Sequence, residues 1–451
     1  MNPTLSDNIL ICGYFLIWIV TFVVYHWKFH NVDAGTTIIG SYFLYAFFSI
    51  ITLNNPIFFL DYYDFKPLTL FPFIYLYIML MIALSPTIYH HYHPVDKLVP
   101  LNTKLLYILS VALIISAVVM LPEVLMNFQD GIIKLITDTD AGKDAYSEQL
   151  EEASDSGGVA TNVLSIFFNA CSEIAIFMWF YFMTMRKKNL WLIFGLLICI
   201  VVAILQPIML GQRGPVMYTV MTLLLAYTLF RRFLSKSINR IVNIAGIIGA
   251  ILVIVPISAI TVSRFSTMKQ STVTDYINWY IGQGNIYFNN YGLDNNGIRY
   301  GDRTFNLIKR LIDPNASINF MDRRAYFHNL LINDDVFTTF VGDFTIDFGP
   351  VVAFLIFVVF NLLVLRGIQT KNKEMKVHQI LLLYFTMCIC MQGGMTLFPF
   401  SDTANLKMAC FLMLYLYLYL YERLIKKYPK RIYIVKQKSK KFPKINISVK
   451  K

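Results

Sequence analysis

Eleven apolar stretches, each close to the length of a membrane-crossing helix, constrain this chain more than any other feature. A helix needs roughly 20 mainly apolar residues to cross a bilayer. The stretches are 8–25, 35–53, 68–86, 104–121, 160–185, 190–210, 215–230, 241–263, 338–365, 380–400 and 405–422. They predict an all-α polytopic membrane protein with about 11 transmembrane helices, or 10 to 12 if boundaries shift. Residues 1–422 are expected to form a single transmembrane domain, and 423–451 a basic cytoplasmic tail.

The composition excludes several other classes. The chain is 57% hydrophobic and only 15% charged, whereas soluble domains carry about a quarter charged residues. All six cysteines lie inside apolar stretches, which excludes a disulfide framework in the loops and a surface zinc site built on cysteine. The first apolar stretch has neither a basic leader nor a small-residue cleavage site, so we interpret it as a retained helix.

The positions of lysine and arginine predict the orientation in the membrane. Of the 39 basic residues, 26 fall in the tail and in the loops on one side of the predicted bundle. Such an excess marks the cytoplasmic side. The carboxyl-terminal tail is therefore expected inside and, with eleven spans, the amino terminus outside. Because the net charge of +12 is concentrated beside the membrane, the lipid bilayer is the expected partner and nucleic acid is not.

Two large loops are predicted on the outer side. The first, 122–159, holds nine acidic residues and reads as a flexible acidic segment. The second, 264–337, carries eight basic and seven acidic residues. Aromatic residues recur in it at helix-like spacing, and they are Tyr276, Trp279, Tyr280, Tyr287, Phe288 and Tyr291. The favoured interpretation is a helix lying flat at the membrane interface, with sugar rings stacked on the aromatic faces as the alternative.

Arg213 lies in a predicted outward turn between the sixth and seventh spans. Glycines at 211 and 214 allow a sharp turn, and Pro215 suits the start of the next helix. The turn is expected to direct one guanidinium at the outer mouth of the bundle, where its planar set of donors fits phosphate oxygens. The alternative is that the Arg213 guanidinium simply hydrogen-bonds to lipid headgroups.

A second polar group precedes and enters the ninth span. Arg323, Arg324 and His328 lie just outside it. Asp343 and Asp347 are four residues apart at its start, so they share one face of a helix. Arginines offset the charge of a diphosphate, while a histidine or aspartate accepts a proton from an attacking hydroxyl. The alternative is a loop salt-bridged to itself, for example through Asp322.

Two further polar features have open interpretations. Glu173 is the only carboxylate deep in a predicted span, where it is either a proton or substrate site or a hydrogen-bond partner for a neighbouring helix. His90, His91 and His93 form a cluster on the predicted cytoplasmic side, but Asp96 is the only carboxylate near them. We therefore expect no metal site and no bound cofactor.

The chain resembles the bacterial oligosaccharide repeat-unit polymerases of the Wzy type, from the O-antigen and capsule polymerase superfamily. The resemblance extends over nearly the whole length in its topology, and locally it rests on residues 211–214 and 333–349. His328-Asn329 is similar to the loop histidine of the related O-antigen ligases. In one departure, Asp347-Phe348-Gly349 is followed by proline and not by a second glycine.

The resemblance implies a metal-independent membrane glycosyltransferase with a GT-C-like bundle, at the outer face of the bacterial cytoplasmic (inner) membrane. It would join undecaprenyl-diphosphate-linked oligosaccharide repeat units into a surface polysaccharide, such as lipopolysaccharide O-antigen or capsule. The implied partners are this lipid-linked donor, a chain-length regulator and a flippase. The alternatives are an O-antigen ligase acting on lipid A core and a lipid-linked glycan flippase or transporter.

The same resemblance suggests roles for individual residues. Arg213, with Arg264 or Arg323, would bind the diphosphate. His328 or Asp343 would activate or orient the acceptor hydroxyl. Arg213, His328 and Asp343 are therefore the candidate catalytic residues. The candidate substrate-binding residues are Arg264, Arg323, Arg324 and Asp347.

Overall fold

A computed structural model of the chain describes residues 3–30, 32–55, 64–101, 104–137, 163–209, 212–265, 272–313, 317, 320–327, 329–332, 336–370, 372–394, 402–424 and 434–435. In chain order the elements are α1 (Leu5–Phe29), α2 (Ala34–Leu53), α3 (Leu70–Tyr92), β1 (Lys97–Val99), α4 (Lys104–Thr137), α5 (Val163–Thr184), α6 (Leu190–Met209), α7 (Arg213–Phe230), α8 (Lys236–Phe265), α9 (Val273–Tyr287), a π-helical turn (Phe288–Gly292), α10 (Asn306–Ile312), α11 (Phe320–Tyr326), α12 (Thr339–Ile368), β2 (Glu374–Lys376), α13 (Val377–Gln392), α14 (Asp402–Leu424) and β3 (Ile434–Val435).

Nine helices in these ranges are long and apolar enough to cross a membrane, namely α1 to α6, α8, α12 and α14. This confirms the prediction of an all-α polytopic membrane protein. The two other predicted spans also correspond to helices. However, α13 has only 16 residues, and α7 begins with a charged residue and is less apolar. The total of eleven spans therefore stays a prediction.

Successive long helices run in alternating directions between two ends of the bundle. At one end, which we call the cap end, Leu68 N donates to Asp7 Oδ1 (2.6 Å) and Asn54 Nδ2 donates to Asn8 Oδ1 (2.8 Å). These contacts bring together the beginning of α1, the end of α2 and the segment before α3. The described residues of 272–337 lie at the same end, since their helix α9 packs on the last turns of α2.

The opposite end, the sheet end, carries a small three-stranded sheet in the order β2-β1-β3. The central strand β1 runs parallel to β2, with Lys97 opposite Glu374, and antiparallel to β3, with Leu98 opposite Ile434. Because β3 belongs to the predicted tail, 423–451 is not wholly separate from the bundle. Lys376 Nζ lies 2.9 Å from Glu422 Oε1 at this end, which links β2 to the end of α14.

The first part of the predicted outer loop, which begins at residue 122, is helical. Helix α4 continues through Pro122 to Thr137, for 34 residues in all. A proline inside a helix removes one N–H donor, and neighbouring helices can stabilise the resulting defect. Val124 is buried beyond the proline, so packing continues past it. The rest of the predicted acidic loop, 138–159, lies outside the described residues.

Three helices and the π-helical turn occupy the second predicted loop. Helix α9 packs closely against α2, where Ser49 Oγ donates to Gly282 O (2.7 Å) and Thr52 Oγ1 donates to Asn278 O (2.9 Å). A Cβ at Gly282 would lie 2.4 Å from Phe48 O, so only glycine permits this approach. The described residues of the second loop therefore form a cap on the bundle.

A capping box fixes the beginning of α9. Thr272 Oγ1 donates to Asp275 Oδ2 (2.6 Å), and the Asp275 backbone N–H donates back to Thr272 Oγ1 (3.3 Å). The hydrogen bonds from Thr272 lower the pKa of Asp275 below its usual value. Asn55 Nδ2 donates to the other carboxylate oxygen (2.8 Å), so this cap also joins α9 to the end of α2.

The aromatic residues of this cap do not form an interfacial belt. Tyr276, Trp279, Tyr287 and Tyr291 are buried together with Val336 in a small apolar cluster of their own. The prediction that these rings lie in the lipid interface is therefore wrong. The rings pack inside the cap because close contact with α2 fixes the orientation of α9.

Candidate functional site

A break in α12 creates the central feature of the cap end. Gly349 has φ +78°, and the next residue is Pro350, which has no backbone N–H. The carbonyl of Ile346 therefore loses its helical donor. Arg299 N donates to this carbonyl instead (3.0 Å). In the same way, Tyr300 N donates to Asp347 O (2.9 Å). The segment from 299 is thus attached to the start of α12 through its backbone.

The two carboxylates predicted on one face of this helix both hold that segment. Asp343 Oδ1 accepts from Arg303 Nε (3.0 Å) and Nη2 (2.7 Å). Asp347 Oδ2 accepts from the backbone N–H and the hydroxyl of Thr304, each at 2.7 Å, and Arg303 N donates to the same carboxylate (3.1 Å). All four side chains are buried, so the spacing of four residues does place both aspartates on one face.

More charges surround this clamp. Asp302 Oδ1 lies 3.3 Å from Arg323 Nε and 3.6 Å from Lys309 Nζ. The cations of Arg299 and Lys309 lie over the ring of Phe327, at 5.4 and 5.1 Å from its centre. Arg299, Asp302 and Arg323 are buried. The cap end thus concentrates charged groups that are costly to remove from water unless they are paired.

Arg213 lies beside this group, at the first residue of α7. Its side chain is buried, and the guanidinium lies over the ring of Tyr280, 4.5 Å from the ring centre. The same ring contacts Phe337 edge-on at 4.9 Å. The following residue, Thr338, accepts a hydrogen bond from Arg303 Nη2 (3.5 Å). A short series of contacts through α9 therefore joins Arg213 to the Arg303–Asp343 pair.

Four of the predicted site residues lie in or beside this cluster, and they are Arg213, Arg323, Asp343 and Asp347. Arg264 is in the last turn of α8 and Arg324 is in α11, but the structure does not describe their side chains. His328 lies outside the described residues. We refer below to the residues Arg213, Arg299, Asp302, Arg303, Arg323, Asp343 and Asp347 as the cap cluster.

Sequence reasoning missed Arg299, Asp302, Arg303 and Thr304. In the sequence they are one short charged run within a polar loop. The available signal was the glycine within the run, Gly301, which has φ +80° and marks a turn. That signal indicates a turn but does not show that the turn meets α12.

The histidine cluster is tied to helix packing. His91 Nδ1 lies 3.2 Å from Asp33 Oδ2, and Tyr25 donates to the other oxygen of the same carboxylate (3.2 Å). This contact joins α1, α2 and α3 at the sheet end. In the part of the chain that the structure describes, no group of three or more His, Cys, Asp or Glu side chains has the arrangement of a metal site.

No protein-family model matches this chain, and no curated protein or solved structure matches it. What the chain does is therefore inferred from its own residues and their geometry. The Wzy-type resemblance stays a prediction.

Proposed function

We propose that this chain is a polysaccharide polymerase, which joins undecaprenyl-diphosphate-linked oligosaccharide units at the outer face of the cytoplasmic membrane. The observation that carries the proposal is the presence of four buried guanidinium groups in the contact network at the cap end. They are those of Arg213, Arg299, Arg303 and Arg323. Arginine binds phosphate oxygens through paired N–H donors, so a lipid diphosphate is the headgroup that this cluster fits best.

The location supports a lipid-linked substrate. The cap cluster lies where α7 and α12 begin, at the end of the bundle opposite the basic loops and the sheet. By the positive-inside rule the cap end faces outward. A diphosphate attached to an isoprenoid chain would lie at this depth, with its hydrocarbon between the helices and its sugars in the cap.

The proposed reaction is transfer of a glycosyl group. The acceptor hydroxyl oxygen attacks the anomeric carbon, the bond from that carbon to the diphosphate oxygen breaks, and the diphosphate leaves with the bonding electrons. Arg213 and Arg323 would stabilise the charge that grows on the leaving group, because such stabilisation is stronger in the transition state than in the ground state. The hydroxyl proton would pass to a base, for which His328 is the candidate.

The contacts suggest a different role for two aspartates. Since Asp343 and Asp347 already hold Arg303 and Thr304, we assign them to positioning the cap and not to direct contact with substrate. Arg264 and Arg324 stay candidate ligands of the diphosphate from their sequence positions.

The first test replaces Arg213 by alanine and by lysine. We expect a loss of about 100-fold or more in the rate of polymer formation for Arg213→Ala, and a smaller loss for Arg213→Lys, which keeps the charge. The chain-length distribution of polymer made by membranes that contain each variant is the measurement. Arg423→Ala is the matched control, because Arg423 is an exposed arginine at the sheet end that also lies over a tyrosine ring.

Normal polymer from well-expressed Arg213→Ala protein would remove this residue from the site.

A second assay separates a polymerase from a ligase. Purified protein receives lipid-linked repeat units as the only donor and acceptor. A polymerase makes longer lipid-linked chains under these conditions, whereas an enzyme that requires lipid A core as acceptor makes none.

A further inference from the structure

A second polar site lies within the membrane-spanning part of the bundle. Glu173, in the middle of α5, accepts hydrogen bonds at Oε1 from Gln392 Nε2 (2.9 Å) and from Lys407 Nζ (3.3 Å). Gln392 is the last residue of α13, and Lys407 lies in the second turn of α14. Glu173 therefore does hydrogen-bond to neighbouring helices, as one of the two interpretations of this residue predicts. The same group also borders a crevice.

The crevice is small, with a volume of about 50 Å³. Its polar lining consists of Glu173, Gln392, Lys407 and Cys388, and the rest is apolar. The apolar lining includes Phe385, Ile389, Met408 and Phe411. Phe385 and Phe411 stack with their ring centres 4.9 Å apart. One side of the crevice is thus charged, and the other is apolar, with Ile389 and Met408 as partly exposed residues.

The two charged groups are unequally exposed. The side chain of Lys407 keeps 34% of its surface accessible, whereas that of Glu173 keeps 13%. Lys407 is therefore the more accessible of the two charged residues. In a helix that crosses a membrane, an exposed lysine is costly unless an anion or another acceptor covers it. Lysine is also a common binder of phosphate, as a compact positive charge.

The crevice lies close to the cap cluster along α14. At the start of this helix, Asp402 accepts from Asn306 Nδ2 (2.7 Å), and Asn405 Nδ2 donates to Thr304 O (3.2 Å). Lys407 is five residues beyond Asp402, which places it about 8 Å deeper along the helix axis. A headgroup at Lys407 would thus lie below the membrane surface at the cap end, with its hydrocarbon chain among the helices.

From the partly exposed lysine, the apolar wall and this depth, we infer that the crevice is a binding site for the phosphate group of a membrane lipid. Lys407 binds the phosphate, and Gln392 supplies a neutral donor beside it. Ile389 and Met408, which are only partly buried, pack against the hydrocarbon chain. Glu173 neutralises Lys407 when the site has no ligand, so it competes with the phosphate. This inference does not depend on glycosyl transfer and goes beyond the proposed function.

The competition predicts opposite effects for the two charged residues. Glu173→Gln removes the competing carboxylate, so binding of a lipid phosphate strengthens several-fold. Lys407→Met removes the cation, so binding weakens by about tenfold or more, which is the loss expected for one charge-assisted hydrogen bond. The single variant Lys407→Met leaves the Glu173 carboxylate without its cationic partner. The double variant Glu173→Gln/Lys407→Met avoids this problem and is expected to lose binding while it stays folded.

The measurement is lipid retention by native mass spectrometry of the purified full-length protein. The probes are dioleoyl phosphatidic acid, undecaprenyl phosphate and dioleoyl phosphatidylcholine, and inorganic phosphate is the competitor. We expect retention of the first two lipids over phosphatidylcholine. A preference for undecaprenyl phosphate would identify the carrier lipid as the natural ligand, and equal retention would identify bulk phospholipid. Either result supports a lipid-phosphate site.

Lys376→Met is the matched control, since Lys376 also pairs with a glutamate but lies at the sheet end. It is expected to leave retention unchanged. Three results would overturn the inference: unchanged retention by the folded double variant, an equal loss in the Lys376→Met control, or displacement of the lipids by inorganic phosphate at equal concentration. None of them bears on Arg213, so this inference and the proposed polymerase fail independently.

Discussion

At the residue scale, the two aspartates at the start of α12 look equivalent in the sequence but have different partners. Asp343 faces the guanidinium of Arg303, whereas Asp347 is held mainly by neutral donors of Thr304 and the backbone. The spacing of four residues predicted the shared face. It did not predict the partners, because Arg303 is 40 residues away in the chain and its position depends on the fold of the cap.

Breaking the Arg303–Asp343 pair on one side is expected to destabilise the protein strongly. Arg303→Met and Asp343→Asn each leave a buried polar group without its partner, which costs about 3–5 kcal/mol for a buried ion pair. The double variant Arg303→Met/Asp343→Leu is expected to lose much less than the sum of the two single losses. Thermal unfolding midpoints in detergent provide the measurement, and additive losses would show that the pair is not coupled.

At the element scale, the break in α12 decides where the cap attaches. Gly349-Pro350 interrupts the helix and frees two carbonyl groups, and the segment from Arg299 supplies the missing donors. Pro350 is thus part of the attachment. Sequence patterns predicted the apolar length of this helix. Sequence patterns did not show that this helix would be bent, because a glycine followed by a proline is compatible both with a kink inside a helix and with a helix end.

Gly349→Ala tests this attachment. Because φ at this position is +78°, a side chain here is strained, and we expect a loss of about 1–3 kcal/mol with lower activity. Gly13→Ala is the control, since Gly13 lies inside α1 and a Cβ there meets no atom within 4 Å. Alanine in that helix is expected to be neutral or slightly stabilising. Equal thermal midpoints for the two variants would contradict the strained turn.

At the scale of the whole molecule, the alternating helices separate two chemically different ends. The cap end carries the buried arginines, and the sheet end carries basic loops joined by short strands. Polymerisation of lipid-linked sugars at the outer face requires the cap end to face away from the cytoplasm. Orientation in the membrane therefore bears directly on the proposed function.

Accessibility of single introduced cysteines tests that orientation. Asp294 is exposed at the cap end, and Lys187 is exposed at the opposite end between α5 and α6. A membrane-impermeant maleimide added to spheroplasts is expected to label Asp294→Cys at once, and Lys187→Cys only after the membrane is permeabilised. The unmodified protein, with its native Cys12 exposed, provides the background. The reverse labelling pattern would place the cap cluster in the cytoplasm and exclude the proposed reaction.

The sequence by itself determined the membrane class, the positions of the apolar helices and the shared face of Asp343 and Asp347. These follow from hydropathy and helical periodicity, which are properties of neighbouring residues in the chain. Only the tertiary structure decided that Arg303 pairs with Asp343, that aromatic residues of the cap are buried, and that Glu173 meets Lys407 across 234 residues. Such contacts depend on how whole helices pack, and no local pattern of residue types encodes that packing.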